Sequence, residues 1–328
     1  MRKSRWMIFV MMLAAFVACT RMPLYDLVEN AVTLDLNLDL KLDLDLKIDV
    51  NVDVELDTVI KVPEHMKACF YVPQSGNLST TEFVGPYGGP INTPPGNYQM
   101  VVYAFGTEYI QIRGESDINT LEAYTSDITL TKGALLKAFS RADESFEEPQ
   151  GPIIYTPDHF LVARQTVTIP DAPTESTTIT LHAEAHDIVD TYGFEVKTVV
   201  GAEYIESCEA FVTNQARSSF FGRGEVNPEP ATLWFPVGVD RKKGVLFTTF
   251  NTFGKLPGES RCFLHIVVRD TDGKEYRFSE DITDGFQKPD HIIVVEEEVD
   301  IPEPASHGGG IAPTVDPWDE ENHEVPIG

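Results

Sequence analysis

Four cysteines and three tryptophans in 328 residues are few, and no two cysteines stand as Cys-x-x-Cys. That argues against a zinc ribbon, a thioredoxin-like redox motif or a disulfide-dense scaffold. Basic residues are scarce too, 25 against 52 acids, which leaves a net charge of −27. Nucleic acid and bare anionic membrane are therefore poor partners. No apolar run reaches the ~20 residues that a membrane helix takes. A Gly-x-Ser-x-Gly elbow is missing as well, so no nucleophile has its usual setting. The chain reads as non-enzymatic, with no cofactor and no metal.

The apolar run that does occur opens the chain. Arg2, Lys3 and Arg5 precede Trp6–Ala18, and Phe16-Val17-Ala18-Cys19 follows the lipobox pattern. A basic start and a short apolar stretch read as an export signal, so residues 1–18 are expected to be removed and Cys19 to be acylated. The membrane would then be touched through the lipid anchor only, at the cell outer membrane. The shorter chain keeps 22 basic and all 52 acidic residues. Of the other cysteines, Cys208 and Cys262 sit in β-like segments and can pair. The alternative is that Cys69, Cys208 and Cys262 are all small buried residues.

Residues 34–57 alternate without a fault. Every even position from Leu34 to Leu56 is Leu, Ile or Val, and the odd ones are Asp, Glu, Lys or Asn. Period two is the signature of a strand with one buried and one wet face. Its acids diverge at ~6.8 Å spacing, which suits solvent better than a shared calcium ion. Short strands with turn residues between them follow: Met66–Val72, Glu82–Val84, Asn97–Phe105 and Tyr109–Arg113. Gly85–Pro90 reads as a turn and Asn119–Ser126 as one helical turn, before a strand at Asp127–Leu130.

Polar, proline-bearing residues 141–152 read as a linker. A second β set runs from Phe160–Ile169 to His291–Val295, with a hairpin turn at Thr271-Asp272-Gly273. The expected division is an N-terminal β-sandwich at 19–140, including the run 34–57, and a C-terminal β-sandwich at 153–295. An acidic disordered tail at 296–328 completes it. His182, Glu184 and His186 share one strand face, but the outer pair would stand ~13 Å apart, too far for one zinc ion. Asp158-His159 lacks a nucleophile partner and reads as a turn before a strand.

Phe83-Val84-Gly85-Pro86, Pro94-Pro95-Gly96-Asn97-Tyr98, Val101–Glu108 and Leu121–Thr125 form a recognisable text. So do Cys19–Tyr25, Pro157–Phe160 and Asp272-Gly273-Lys274. Together they resemble Bacteroidales lipoproteins of the fimbrial-anchor type, the FimB-like minor fimbrillin group. The resemblance implies two tandem transthyretin-like Greek-key β-sandwiches on the cell surface. It also implies a role as fimbria-associated anchor or minor subunit. The physical route would be β-strand addition, in which a fimbrial shaft or other surface protein completes an open sheet edge. A surface glycan-binding lipoprotein is the alternative, with Trp234 and Trp318 as its stacking platform; a secreted hydrolase lacks converging carboxylates.

Overall fold

A computed structural model describes residues 32–43, 59–128, 151–171, 179–256, 258, 260–296 and 298–304. It is all-β, as the alternation demands. β1 (Val32–Leu40) is the described part of the alternating run, with Leu34, Leu36 and Leu38 buried and Thr33, Asn37 and Asp39 exposed. Residues 44–57 of the run lie outside the described residues. β1 is not a sheet edge. It pairs parallel with β10 (Ile179–Asp187) and antiparallel with β4 (Gly88–Thr93).

Those strands belong to a seven-stranded sheet that also holds β2 (His65–Tyr71), β3 (Leu78–Val84), β5 (Gly96–Phe105) and β9 (Leu161–Ile169), in the order β3-β2-β5-β9-β10-β1-β4. Its two edges, β3 and β4, follow each other in the chain through a turn bridged at Gly85–Gly88, so the sheet curls. Leu34, Leu36, Met66, Phe70, Met100 and Ile91 fill one continuous core. A four-stranded layer lies against it: β15 (Glu225–Val226), β14 (Ser218–Phe220), β7 (Glu122–Thr125) and β6 (Ile110–Arg113), in that order. Tyr103, Phe160 and Phe221 interlock between the layers with centroids 5.1–5.9 Å apart.

A second core lies between two further sheets. One has the order β20-β19-β13-β16-β8: β20 (Glu275–Asp281), β19 (Phe263–Asp270), β13 (Ile205–Ala216), β16 (Pro230–Pro236) and β8 (Ile153–Tyr155). The other has the order β17-β18-β11-β21: β17 (Gly238–Asp240), β18 (Val245–Thr252), β11 (Asp190–Val196) and β21 (Ile292–Val295). Phe235 stacks on Phe250 at 4.6 Å in this core.

Four expectations are corrected. First, the boundary at 141–152 does not divide the cores. β9 and β10 lie beyond it yet bond to β5 and β1, while β14 and β15 return to the first module from still farther along. β13 makes that crossing itself: its register shifts between Val212 and Gln215, Asn214 takes a left-handed φ of 56°, and Ala216 ends in the first core. A polar segment marks an excursion to the surface, and which sheet the chain rejoins is decided by distant pairings.

Second, the single helical turn at Asn119–Ser126 is instead β7, paired with β6 and β14. Third, Gly88 and Gly89 adopt φ of 102° and 146° and already form β4, the ladder partner of β1. Fourth, the segment after Glu296 is not all loose tail. β22 (Val299–Asp300) pairs parallel with β12 (Val199–Val200), and Val299 and Ile301 are buried. Residues 305–328 lie outside the described residues.

His265, on β19, is fully buried and bonds Ser279 Oγ through Nδ1 at 2.7 Å. Burial pulls its pKa down to about 4 from the ordinary 6.5. Between those values the unfolded chain binds a proton that the folded chain refuses, so stability falls as pH drops through that window. The loss should reach about 3 kcal/mol at ~1.4 kcal/mol per unit. Urea midpoints measured from pH 7 to pH 4 should show it, and His265→Gln should flatten it; an unchanged slope would refute the assignment.

Candidate functional surface

The histidines and acids singled out from sequence do not converge. His182, Glu184 and His186 stand on the exposed face of β10, with His186 Nε2 3.6 Å from a Glu184 carboxylate oxygen. Among the described residues no group of three or more His, Cys, Asp or Glu could hold a metal ion. His159 is clamped by Asp187 at 2.6 Å, and Asp187 also accepts from the backbone N–H of Phe160 and Val189. Asp158 accepts from the N–H of Tyr109 and Ile110. These contacts hold loops against strands, which fits the reading of a turn before β9.

The pairing of Cys208 with Cys262 is also corrected: Cys69, Cys208 and Cys262 are buried free thiols. Cys208 sits opposite Val268 in the β13–β19 ladder, so Cys262 lies six residues farther along the neighbouring strand. Six residues span ~20 Å, whereas a disulfide needs Cα atoms within about 7 Å. Burial pushes the Cys208 thiol well up and the Cys262 thiol to about 11, so neither offers a thiolate at neutral pH.

Trp234 is no platform. Its indole N–H donates to Glu209 at 2.8 Å, and its ring meets Tyr155 edge-on at 5.7 Å. Trp318 lies outside the described residues.

Backbone groups at sheet edges remain as the chemistry on offer. Edge strands β6, β8, β15, β17 and β21 have four residues or fewer. β4 carries Pro90, which donates no hydrogen bond, and β20 has four charged residues in seven. Short length, proline and charge are how natural sheets blunt their edges. β3, Leu-Ser-Thr-Thr-Glu-Phe-Val, has one charge and no proline over seven residues. Its start is covered, since Leu78 N–H donates to Ser116 O. Beyond the register shift after Phe70, Thr80–Val84 stay in step with β2. Among the described residues, no backbone group of Thr80–Val84 has a hydrogen-bond partner beyond that ladder.

An aromatic pair flanks this edge. Phe83 is 56% exposed and Phe105 44%, and the rings meet edge-to-face at 5.0 Å. Lys67 extends its ammonium over both, 5.6 and 5.8 Å from the centroids, and donates to Glu115, which also accepts from Tyr103 OH. Burial alone would raise the Glu115 pKa, but Lys67 and Tyr103 hold it below the ordinary carboxylate value. The carboxylate thus stays charged and fixes Lys67 beside the rings. Sequence reading found only Glu82–Val84 of β3; that the strand is an edge follows from topology alone.

A curated protein of Bacteroides ovatus, "Putative fimbrium anchoring subunit Fim4B", is 24% identical over 305 residues, covering 81% of this chain and 86% of its own length. The resemblance to fimbrial-anchor-type proteins read from the sequence is thus matched by a relative bearing that name. A crystal structure described as a "putative adhesin" from Bacteroides ovatus superposes with a TM-score of 0.59 at 19% identity, over 87% of this chain and 97% of that one. The fimbrial anchor protein Mfa2 of Porphyromonas gingivalis aligns more loosely, with a TM-score of 0.42 at 10% identity over 80% of this chain and 87% of its own. The sequence model described as "Domain of unknown function (DUF5119)" matches residues 39–236, more than half of the chain, and the chain belongs to that family.

Proposed function

We propose that the chain is a non-enzymatic surface lipoprotein, tethered through acylated Cys19, that anchors or terminates a fimbria. It receives a partner strand on the outer edge of β3. The observation that carries the reading is the run Thr80–Val84: a nearly uncharged edge in unbroken register with β2, beside an exposed Phe83–Phe105 pair. A strand laid along five residues covers ~17 Å. It would satisfy the outward N–H and C=O groups of two or three β3 residues. Every second side chain of that strand would stand over Phe83 and Thr81, so an apolar residue there covers the exposed rings. The names carried by the Bacteroides ovatus relative and the similar adhesin structure support a place in a fimbria. The transthyretin-like character of the two interleaved modules and the outer-membrane location belong to the same proposal.

A photo-crosslinking residue at exposed Thr81, in cells making fimbriae, tests both parts. It should capture the terminal strand of a shaft subunit. Phe83→Asp should cut the recovered shaft about tenfold while lowering the melting temperature by only about 2–4 °C, the scale of one lost ring contact. Shafts that co-purify without any Thr81 adduct would move the contact to another edge. If no shaft co-purifies, the fimbrial role itself fails.

A further inference from the structure

We infer that a cleft between the two cores is a binding site for a short neutral oligosaccharide. The cleft has a volume of about 620 Å³ and is lined from four separate chain segments, 59–65, 104–109, 156–161 and 249–251. That volume lies in the range of sites that enclose a small ligand, about 300–1,000 Å³. Phe105 borders both this cleft and the strand edge proposed above, but none of the cleft's polar groups serves that edge, and the tests below leave Phe105 unchanged.

The lining is mixed in a particular way. Tyr109, 43% exposed, rests against Tyr155 with centroids 5.7 Å apart and planes 26° from parallel. A ring backed on one side and exposed on the cleft is a surface for the apolar C–H face of a sugar. Around it stand the acceptors Glu64, Glu108 and Asp158, the cation Lys61 and the imidazole of His65. Sugar hydroxyls donate and accept, and both kinds of partner are present.

The floor is held in place before any ligand arrives. Asp158 uses Oδ2 on the N–H of Tyr109 and Ile110, at 2.6 and 3.3 Å, which aims that carboxylate at the base of the Tyr109 loop. Asn251 is fixed on both ends, donating to Pro157 O at 3.0 Å and accepting from Thr191 Oγ1 at 2.8 Å. Side chains ordered in advance lose little entropy on binding. Three carboxylates would repel a phosphate or an acidic glycan. Among the described residues no group of three or more His, Cys, Asp or Glu could hold a metal ion. The three carboxylates outnumber Lys61, so a cationic peptide is the competing occupant, and it is the exposed face of Tyr109 beside mixed donors and acceptors that favours a neutral sugar.

Saturation-transfer NMR on the chain from Cys19 onward, with cellotriose, maltotriose, mannotriose and xylotriose as probes, tests this. At least one trisaccharide should receive saturation. Tyr109→Ala should weaken its binding about tenfold, the scale of one lost stacking contact. Tyr109→Phe, which keeps the ring, should bind as the parent does. Should Tyr109→Ala lower the melting temperature, Glu108→Ala on the exposed rim replaces it and should weaken binding severalfold. The inference is overturned if no probe binds at millimolar concentration, or if binding ignores both alanine variants. It is equally overturned if trilysine binds the cleft and no sugar does.

Discussion

Expressed separately, fragment 19–152 is expected to stay unfolded and fragment 153–295 to keep at most the second core, although a boundary between them is where the sequence reads as a linker. The first fragment would carry β1–β7 but lack β9 and β10, so β5 would lose one ladder neighbour and β1 another. Phe160, Leu161, Ala163, Ile169, Ala185 and Phe221 would leave the first core at the same time. The four large ones, Phe160, Leu161, Ile169 and Phe221, contribute ~1.5–3 kcal/mol each, together about 6–12 kcal/mol, which is comparable to the 5–15 kcal/mol that holds an ordinary domain together. The second fragment would expose the partners of those residues: the apolar sides of β9, β10 and β14 would have no sheet to meet. Circular dichroism and amide exchange decide the matter. A protected, cooperatively melting 153–295 fragment would show that the second core needs none of the first. Mixing the two fragments should restore strand signal, because the missing ladders are then present in trans.

That interleaving was not legible in the residues, and the reason is physical. Alternation is a local property, so it reports a strand and its buried face, as at β1, β2, β5, β9 and β10. It carries no address for the partner. β1 lies between β4 and β10, two strands some fifty and one hundred forty residues away in the chain, and nothing at Leu34–Leu40 names either. β7 escaped notice because Glu122, Ala123 and Thr125 are all buried, which removes the contrast between faces. β4 was hidden by glycines that do form a ladder. Gly88 needs its bare Cα: a Cβ there would stand 1.8 Å from Leu36 O, on the strand it pairs with. At Val299 and Ile301 the two-residue spacing was visible, but acidic surroundings masked it. The candidate edge on β3 was readable only as three strand residues. Its openness, and the meeting of Phe83 with Phe105, depend on strand order.

Glu122→Ala is expected to cost about 3 kcal/mol, out of proportion to one side chain on a four-residue strand. Its carboxylate is 6% exposed. It accepts two bonds from the Arg113 guanidinium, at 2.6 and 2.8 Å, one from Ser218 Oγ, and one from Asn227 Nδ2 at 3.4 Å. Ser218 and Asn227 are buried too, so alanine would leave donors from two chain segments facing an apolar gap. Breaking a buried pair from one side costs roughly 3–5 kcal/mol; Arg113 is half exposed and can turn to water, which favours the lower end. Burial alone would raise the Glu122 pKa, but Arg113, Ser218 and Asn227 outweigh it and hold the value below 4.5. Stability from this group is therefore complete above the unfolded pKa and is lost as pH falls through the lower folded one. Glu122→Gln should remove that acid-side loss, leaving the separate His265 slope at higher pH in place. Urea unfolding of both variants, with Arg113→Ala to close a double-mutant cycle, measures the coupling directly. A cost under about 0.5 kcal/mol would mean that apolar packing alone joins β6 and β7 to β14. A large coupling would mean that this carboxylate ties residues 110–125 to 218–227, the contact through which the late chain returns to complete the first module.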